Sequence, residues 1–318
     1  MRPPSPEYLA ERRLLTRKLS FWRAASALVA LGAILAIGLR FGGAGGSLLG
    51  PHIARIRIDG VITDDRPLLK LVKDVAESSA SAVILSIDSP GGTTTGAESL
   101  YDELRRLAAR KPTVAVVDGM AASGAYIAAL GADEIVVHGN SLVGSIGVLM
   151  QMPNAAKLLD TVGVKVETIK SSPLKASPNP YEPTSPEAKA AMAALIADSY
   201  DWFKKLVQER RRMSDAELAA VADGRVFTGR QGAPLKLVDK IGGEREAIAW
   251  LESERGVPTG LSIRDWKKPH DFDSFGLLGA AAGWLGHPEL ARTLLPAAAA
   301  LSRELDGLTA IWQGSSLD

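Results

Sequence analysis

From residue 52 onward the chain alternates short apolar runs with longer amphipathic stretches. Residues 52–58 (HIARIRI) alternate polar and apolar positions, as a half-buried strand does, and Asp59-Gly60 then reads as a turn. Residues 82–87 (AVILSI) and 113–117 (TVAVV) are short and almost wholly apolar, the pattern of strands covered on both faces. Residues 67–79, ahead of the first of these runs, place Leu68, Leu71, Val72 and Val75 on one helical face, and 97–110, between the two runs, repeat that period. A helix over 123–130, a strand over 134–138, a Gly-rich loop over 139–147, a segment at 148–152, a helix over 154–162 and a strand over 166–169 complete the first half. This β-α-β-α rhythm predicts an α/β domain with a mostly parallel sheet and helices on both faces.

Residues 170–186 (KSSPLKASPNPYEPTSP) carry five prolines and break the rhythm. Regular structure is excluded there, and a connection this long is usually functional or covering. A long helix over 187–213 and a short one over 214–222 follow. Small elements at 226–227 and 235–238, a helix over 244–254 and a strand over 261–263 close the regular part. Residues 275–301 are rich in Ala and Leu but contain Pro288 and Pro296. They read as a packing or oligomer helix, with membrane-surface contact as the alternative. The expected division is therefore a basic segment at 1–23, an apolar anchor at 24–40, a flexible linker at 41–50, the α/β domain at 51–264 and the Ala/Leu-rich segment at 265–318.

The anchor rests on charge and hydropathy together. Of the 318 residues, 37 are basic and 36 acidic, a net charge of +1 that argues against a nucleic-acid partner. The distribution is uneven: seven of those basic residues and only two acidic ones fall in residues 1–40. Residues 24–39 contain no charge, and Phe21, Trp22 and Phe41 flank them as interfacial aromatics do. That run of 16 residues is short of the ~20 that span a bilayer comfortably. Arg23 and Arg40 can snorkel to make up the difference. A cleaved signal peptide or a soluble helix are the other readings. Excess positive charge on the N-terminal side predicts that end in the cytoplasm and the remainder outside. The ten residues 41–50 reach about 35 Å at most, which would keep the folded domain near the bilayer.

Composition narrows the chemistry. With 46% hydrophobic and 23% charged residues the chain is globular rather than disordered. Cys is absent, which removes disulfides, thiolate metal sites and cysteine nucleophiles. The four histidines (His52, His138, His270, His287) share no ligand spacing, so neither a metal nor a cofactor is expected. What remains is a set of small-residue loops. Asp88-Ser-Pro-Gly-Gly92 ends one apolar strand, and paired glycines allow backbone amides to face a cleft. Gly119-Met-Ala-Ala-Ser-Gly-Ala-Tyr126 ends the next and sets Ser123 at a helix start among residues too small to shield its hydroxyl. A plain helix-capping serine has the same signature.

A serine hydroxyl needs a base to become a nucleophile. His52 begins a strand and His138 ends one, and both read as structural. The Pro-rich loop offers Lys170 and Lys175. An ordinary lysine is neutral about once in a thousand molecules or less at pH 7. Lowering its pKa by about three units costs ~4 kcal/mol of differential solvation, which a covering loop of apolar atoms can supply.

Taken together, 87–92 (IDSPGG), 121–126 (AASGAY), 143–148 (VGSIGV) and 169–176 (IKSSPLKA) resemble the signal peptide peptidase A, or protease IV, family in its short single-repeat bacterial form. The resemblance runs from about residue 53 to residue 243. It implies the Clp protease/crotonase-like superhelical β-α-β fold and a Ser–Lys dyad, with Ser123 as nucleophile and Lys175 as general base. It also implies that Ser145 orients the lysine amine and that the amides of Gly92 and Gly124 form the oxyanion hole. Lys170, at a strand end, is the less favoured base. Family pockets are apolar, and Met120 is close enough to Ser123 in sequence to be a wall. Two positions depart from the family pattern: Ala125 where a second glycine is common, and Ser172-Pro-Leu-Lys175 where Gly-Lys-Tyr-Lys is more frequent.

By the same resemblance, the chain is a homo-oligomeric ring former in which one subunit's lysine completes a neighbour's site. It would be a single-pass protein of the bacterial inner membrane, its catalytic domain extracytoplasmic, cleaving hydrophobic peptides such as remnant signal peptides. Three rivals remain at this level: a related membrane protease acting on intact regulatory proteins, a crotonase-like acyl-CoA enzyme and a catalytically silent scaffold.

Overall fold

The computed structural model describes residues 50–268, scattered positions between Lys18 and Gly32, and Thr309–Ile311. The chain divides into two units, Met1–Gly50 and Pro51–Asp318. In the first, the described positions from Lys18 to Gly32 are helical. The expected anchor over 24–40 lies largely outside the described residues, as do the linker and the Ala/Leu-rich stretch over 275–301. Among the described residues no helix is long and apolar enough to cross a membrane.

The second unit is built on one sheet. β1 (His52–Ile62), β2 (Ala80–Thr93) and β3 (Thr113–Ala122) form its centre, all parallel. β4 (Glu134–Val137) and β5 (Leu142–Gly144) both pair with β3, at successive positions along it. β6 (Val226–Thr228) runs antiparallel to β5, β7 (Lys240–Ile241) pairs with β4, and β8 (Ile263–Trp266) lies parallel to the far edge of β1. β9 (Thr309–Ile311) runs antiparallel to the end of β2. The helices are α1 (Arg66–Glu77), α2 (Thr94–Ala108), α3 (Gly124–Ala129), α4 (Ala156–Thr161), α5 (Pro186–Arg211), α6 (Asp215–Ala219), α7 (Gly229–Gly232) and α8 (Glu244–Arg255).

Strand alternation sorts the core into two layers. Val83, Leu85 and Ile87 join Ala115 and Val117 on one face, where α1, α2, α3 and α5 cover them. Ala82, Ile84, Val114 and Val116 point the other way, against Ala247 and Leu251 of α8. α1 buries the same four residues its periodicity predicts, and the Asp65 carboxylate accepts the Leu68 N–H at 3.1 Å to start it.

The sheet departs from the sequence-based expectation in length. β1 does not turn at Asp59-Gly60 but bulges there, with Gly60 at φ 69, and continues to Ile62. Asp88–Gly92 is not a break but the end of β2, because β1 supplies parallel partners as far as Ile62 opposite Gly92. The loop expected over 139–147 contains β5, which β3 and β6 both pair. The strand expected over 166–169 does not form: those residues find no sheet partner and lie exposed. The final strand falls at Ile263–Trp266 rather than 261–263, in register with Ile53–Ile56 of β1.

Short α3 is held from both sides. The buried Tyr126 hydroxyl donates to the Leu237 carbonyl at 2.7 Å. Free carbonyls at its C-terminal end are taken by arginines: Arg210 Nε reaches Leu130 O at 2.9 Å, and Arg105 Nη1 reaches Gly131 O at 2.9 Å. Near the same helix end, burial and then the like charge of Asp239 push the Glu134 carboxyl up to about 7. The folded state therefore holds a proton that the unfolded chain releases near 4.5, and this group's contribution to stability falls as pH rises from about 4.5 to about 7. Glu134→Gln is expected to raise the melting temperature at pH 8 and to lose that advantage by pH 5, as differential scanning calorimetry at the two pH values would show.

Candidate active site

β3 ends at Ala122, and the next residue, Ser123, turns the chain sharply into α3. Its backbone sits at φ 55, ψ −118, a region that glycine prefers and that costs a serine about 1–3 kcal/mol. Two contacts fix it there. The Ser123 N–H donates to Gly144 O at 2.8 Å, and the Ser123 carbonyl accepts from Tyr126 N at 2.9 Å as the first turn of α3. Although Ser123 precedes a helix, its hydroxyl makes no capping hydrogen bond. The side chain is 99% buried, yet its oxygen is left free for other chemistry. Strained turns that present an uncommitted hydroxyl at a strand end are the geometry of serine nucleophiles.

Ser145 is drawn to the same place by sheet pairing. Ala121 lies opposite Val143 and Ala122 opposite Gly144, so Ser145 is the residue after the one that accepts the Ser123 amide. Ser145 is also buried and also at positive φ, 52°, with its N–H bonded to Arg225 O at 2.8 Å. Gly92 arrives from the neighbouring strand, where Ser89 lies opposite Ala121. A Cβ on Gly92 would sit 1.7 Å from Ile62 O, so only glycine allows β1 and β2 to close at that point. Gly124 is the first residue of α3, where an amide has no carbonyl one turn earlier to bond.

Ser89 is a supporting residue that the motif reading passed over. Its buried hydroxyl donates to Gly60 O at 2.5 Å and accepts the Gly91 N–H at 3.1 Å. It thereby ties the β1 bulge to the paired glycines. The signal for it was the serine inside Asp88-Ser-Pro-Gly-Gly92, which reads as turn chemistry rather than as a brace.

The two candidate lysines separate clearly. Lys170 Nζ donates to Ser177 Oγ at 2.9 Å and pairs with Glu182, which Asn179 Nδ2 also reaches at 2.6 Å. The Lys170 contact, ahead of Ser177 and Asn179, holds the Glu182 carboxyl below its ordinary range. Lys170 is thus the tie of a local loop knot. Lys175 is exposed and its amine makes no hydrogen bond or ion pair among the described residues. Within the single chain no hydrogen bond joins Lys175 to Ser123 or Ser145; strand pairing sets Ser145 near Ser123 and Gly124, and Gly92 lies three residues past Ser89 on the adjoining strand.

Ser145 forms one wall of a cleft of about 370 Å³. Ile146, Val148, Leu149, Ile196 and Tyr200 make most of the rest, with Asp223 and Gly224 at its margin. Met120 is not among these walls. Asp223 is already paired with Arg225, Nε to Oδ2 at 2.7 Å, so the cleft is apolar in effect. Among the described residues no cluster of three or more His, Asp or Glu is placed to hold a metal ion.

Comparison with known proteins follows the same residues. Residues 105–258 match the model of peptidase family S49, and residues 65–141 match that of Clp protease. The Synechocystis sp. protein slr0021, provisionally named a protease, is 36% identical over 64% of this chain and 75% of its own length. The Enterococcus faecium protein provisionally named signal peptide peptidase SppA is 28% identical over 74% of this chain and 70% of its own. Protease 4 of Haemophilus influenzae is 29% identical over 67% of this chain but only 36% of its own. With its Clp protease-like α/β fold and a buried, uncommitted serine at the end of β3, the chain belongs to peptidase family S49 and is a serine peptidase.

Proposed function

We propose that the protein is a membrane-anchored endopeptidase that cleaves hydrophobic peptides, remnant signal peptides among them, through Ser123 and Lys175. The observation that carries this reading is the Ser123 backbone: strain of this kind persists only where the surroundings enforce it, and here it leaves a buried hydroxyl at the start of α3 with no capping hydrogen bond. Ser123 Oγ attacks the peptide carbonyl while the neutral Lys175 amine takes its proton. The amides of Gly92 and Gly124 receive the oxyanion. The lysine returns the proton to the leaving amine, and water, deprotonated in the same way, releases the acyl group from Ser123.

The lysine must come from somewhere other than its own exposed position. Residues 149–181 form an arm whose apolar side chains face solvent: Leu158 is 65% exposed, Val162 62% and Ile169 102%. Apolar surface of this extent is a contact surface waiting for a partner. A ring of identical chains would cover it and carry each Lys175 to the Ser123–Ser145 pair of a neighbour, where Ser145 would orient the amine. The basic, apolar N-terminal stretch supports an anchor with the N-terminus cytoplasmic and the catalytic domain outside. The apolar cleft beside Ser145 favours short hydrophobic peptides over intact folded proteins, since a chain must be extended to reach it. The purified protein in lipid vesicles is expected to degrade a synthetic signal peptide and to leave a folded single-pass membrane protein intact, read by mass spectrometry of the products. Cleavage of the folded protein alone would overturn this substrate assignment.

A further inference from the structure

We propose that Glu182 is a positioning residue for the general base: with Lys170 and Asn179 it closes residues 170–182 into a loop of fixed shape that presents Lys175. This deepens the dyad reading above and rests on it. One carboxylate oxygen gathers the loop. Glu182 Oε1 pairs with Lys170 Nζ and accepts from Ser177 Oγ at 3.0 Å and from Asn179 Nδ2 at 2.6 Å. Lys170 enters from the near end of the loop and Glu182 from the far end, with Lys175 between them. Asn179 carries the constraint inward. Its Nδ2 also donates to Ala176 O at 3.0 Å, one residue from the base, and its Oδ1 accepts the Tyr181 N–H at 2.9 Å. On the other side the chain turns back on itself, with Lys175 N–H on Ser172 O at 3.1 Å. Ala176 sits at φ 53, a conformation an alanine keeps only when its neighbours hold it. The loop is moored to the arm as well, where Asn154 Nδ2 donates to Glu182 O at 2.7 Å.

The two lysines of the loop thus face opposite ways. The Lys170 side chain is only 15% exposed and is spent on the closure, whereas Lys175 is exposed with its amine unpaired among the described residues. Side chains must supply the closure because Pro173, Pro178 and Pro180 have no N–H to give a backbone ladder. A base acts only within hydrogen-bond reach of the hydroxyl, and a misplacement of about 1 Å costs about 10²-fold in rate. A loop already shaped before it meets a neighbouring chain loses less freedom on docking.

Glu182→Ala is expected to lower kcat for a hydrophobic reporter peptide about tenfold with KM unchanged, since a displaced amine weakens proton transfer and not peptide binding. Glu182→Gln keeps an oxygen for Ser177 and Asn179 and is expected to stay within about threefold of the parent. Adding Lys170→Ala to Glu182→Ala is expected to cost nothing further, because the pair acts as one unit. Mixed rings of Ser123→Ala and Lys175→Ala chains separate positioning from general support, since there only the Ser123→Ala chain donates a lysine. Glu182→Ala is expected to cut the recovered rate about tenfold when that chain carries it, and to leave the rate unchanged when the Lys175→Ala chain does. If Glu182→Ala fails to assemble, Asn179→Ala, which cuts the link to Ala176 and spares the Lys170–Glu182 pair, is expected to show the same chain asymmetry. Equal losses from either chain, a raised KM at parental kcat, or parental rates in Glu182→Ala would overturn the positioning role while Ser123 and Lys175 remained essential. Parental activity in Lys175→Ala would instead remove the dyad, and the positioning role with it.

Discussion

Ser123→Ala is expected to lower kcat/KM on a hydrophobic peptide by about 10⁴-fold or more, the scale seen when a serine nucleophile is removed and only binding and oxyanion contacts remain. Folding should be almost unaffected, because alanine must adopt the same φ of 55° and the lost hydroxyl makes no capping bond. Ser123→Gly sharpens the point. Glycine suits that backbone region, so the variant should be more stable than the parent by about 1 kcal/mol, yet equally inactive. A stabilising change that abolishes activity would mark the strain at Ser123 as serving catalysis. Thermal melts and initial rates on the three proteins decide it; a serine whose loss left rates intact would be a structural turn residue.

The second large effect is expected at the loop. Lys175→Ala should cost about 10²- to 10⁴-fold in kcat/KM, the range for a lost general base. Lys170→Ala should cost only a few-fold, through loosening of the Glu182 knot in which Ser177 and Asn179 also take part. Because Lys175 is exposed in its own chain, the two inactive variants offer a further check. Mixed rings of Ser123→Ala and Lys175→Ala chains contain interfaces where one chain's serine meets the other's lysine. Such mixtures should recover a fraction of the parent rate, whereas either variant alone should not. Initial rates across a mixing series measure this directly, and a flat series would place serine and lysine within one chain.

How much of this was legible in the sequence depends on which physical signal each residue carries. The apolar runs at 82–87 and 113–117 announced central strands because both faces of the sheet are covered, and burial selects residue type position by position. Asp88–Gly92 looked like a break because Pro and Gly are poor strand formers in isolation. It is strand because β1 pairs with it, a long-range fact that composition does not carry. Residues 166–169 (VETI) err in the opposite direction: a strand is expected there, yet no strand pairs with them and Ile169 is fully exposed, because a strand needs a neighbour that local sequence does not specify. Ser123 and Ser145 were identifiable as motif residues, but their positive φ is a property of the enforced backbone and leaves no trace in a serine codeword. The choice between Lys170 and Lys175 became sharper once Glu182 was seen to hold the former. The three-residue β9 is too short for any periodicity to reveal, and it appears only as a pairing with Gly91–Thr93.

The central claim is that Ser123 is made nucleophilic by the Lys175 amine. Mass-spectrometric mapping of a fluorophosphonate adduct on the purified, assembled protein tests it most directly. The adduct is expected on Ser123 in the parent and in Lys170→Ala, and its formation is expected to slow by at least about 10²-fold in Lys175→Ala. An adduct on a different serine, or labelling of Ser123 at the parental rate without Lys175, would contradict the account.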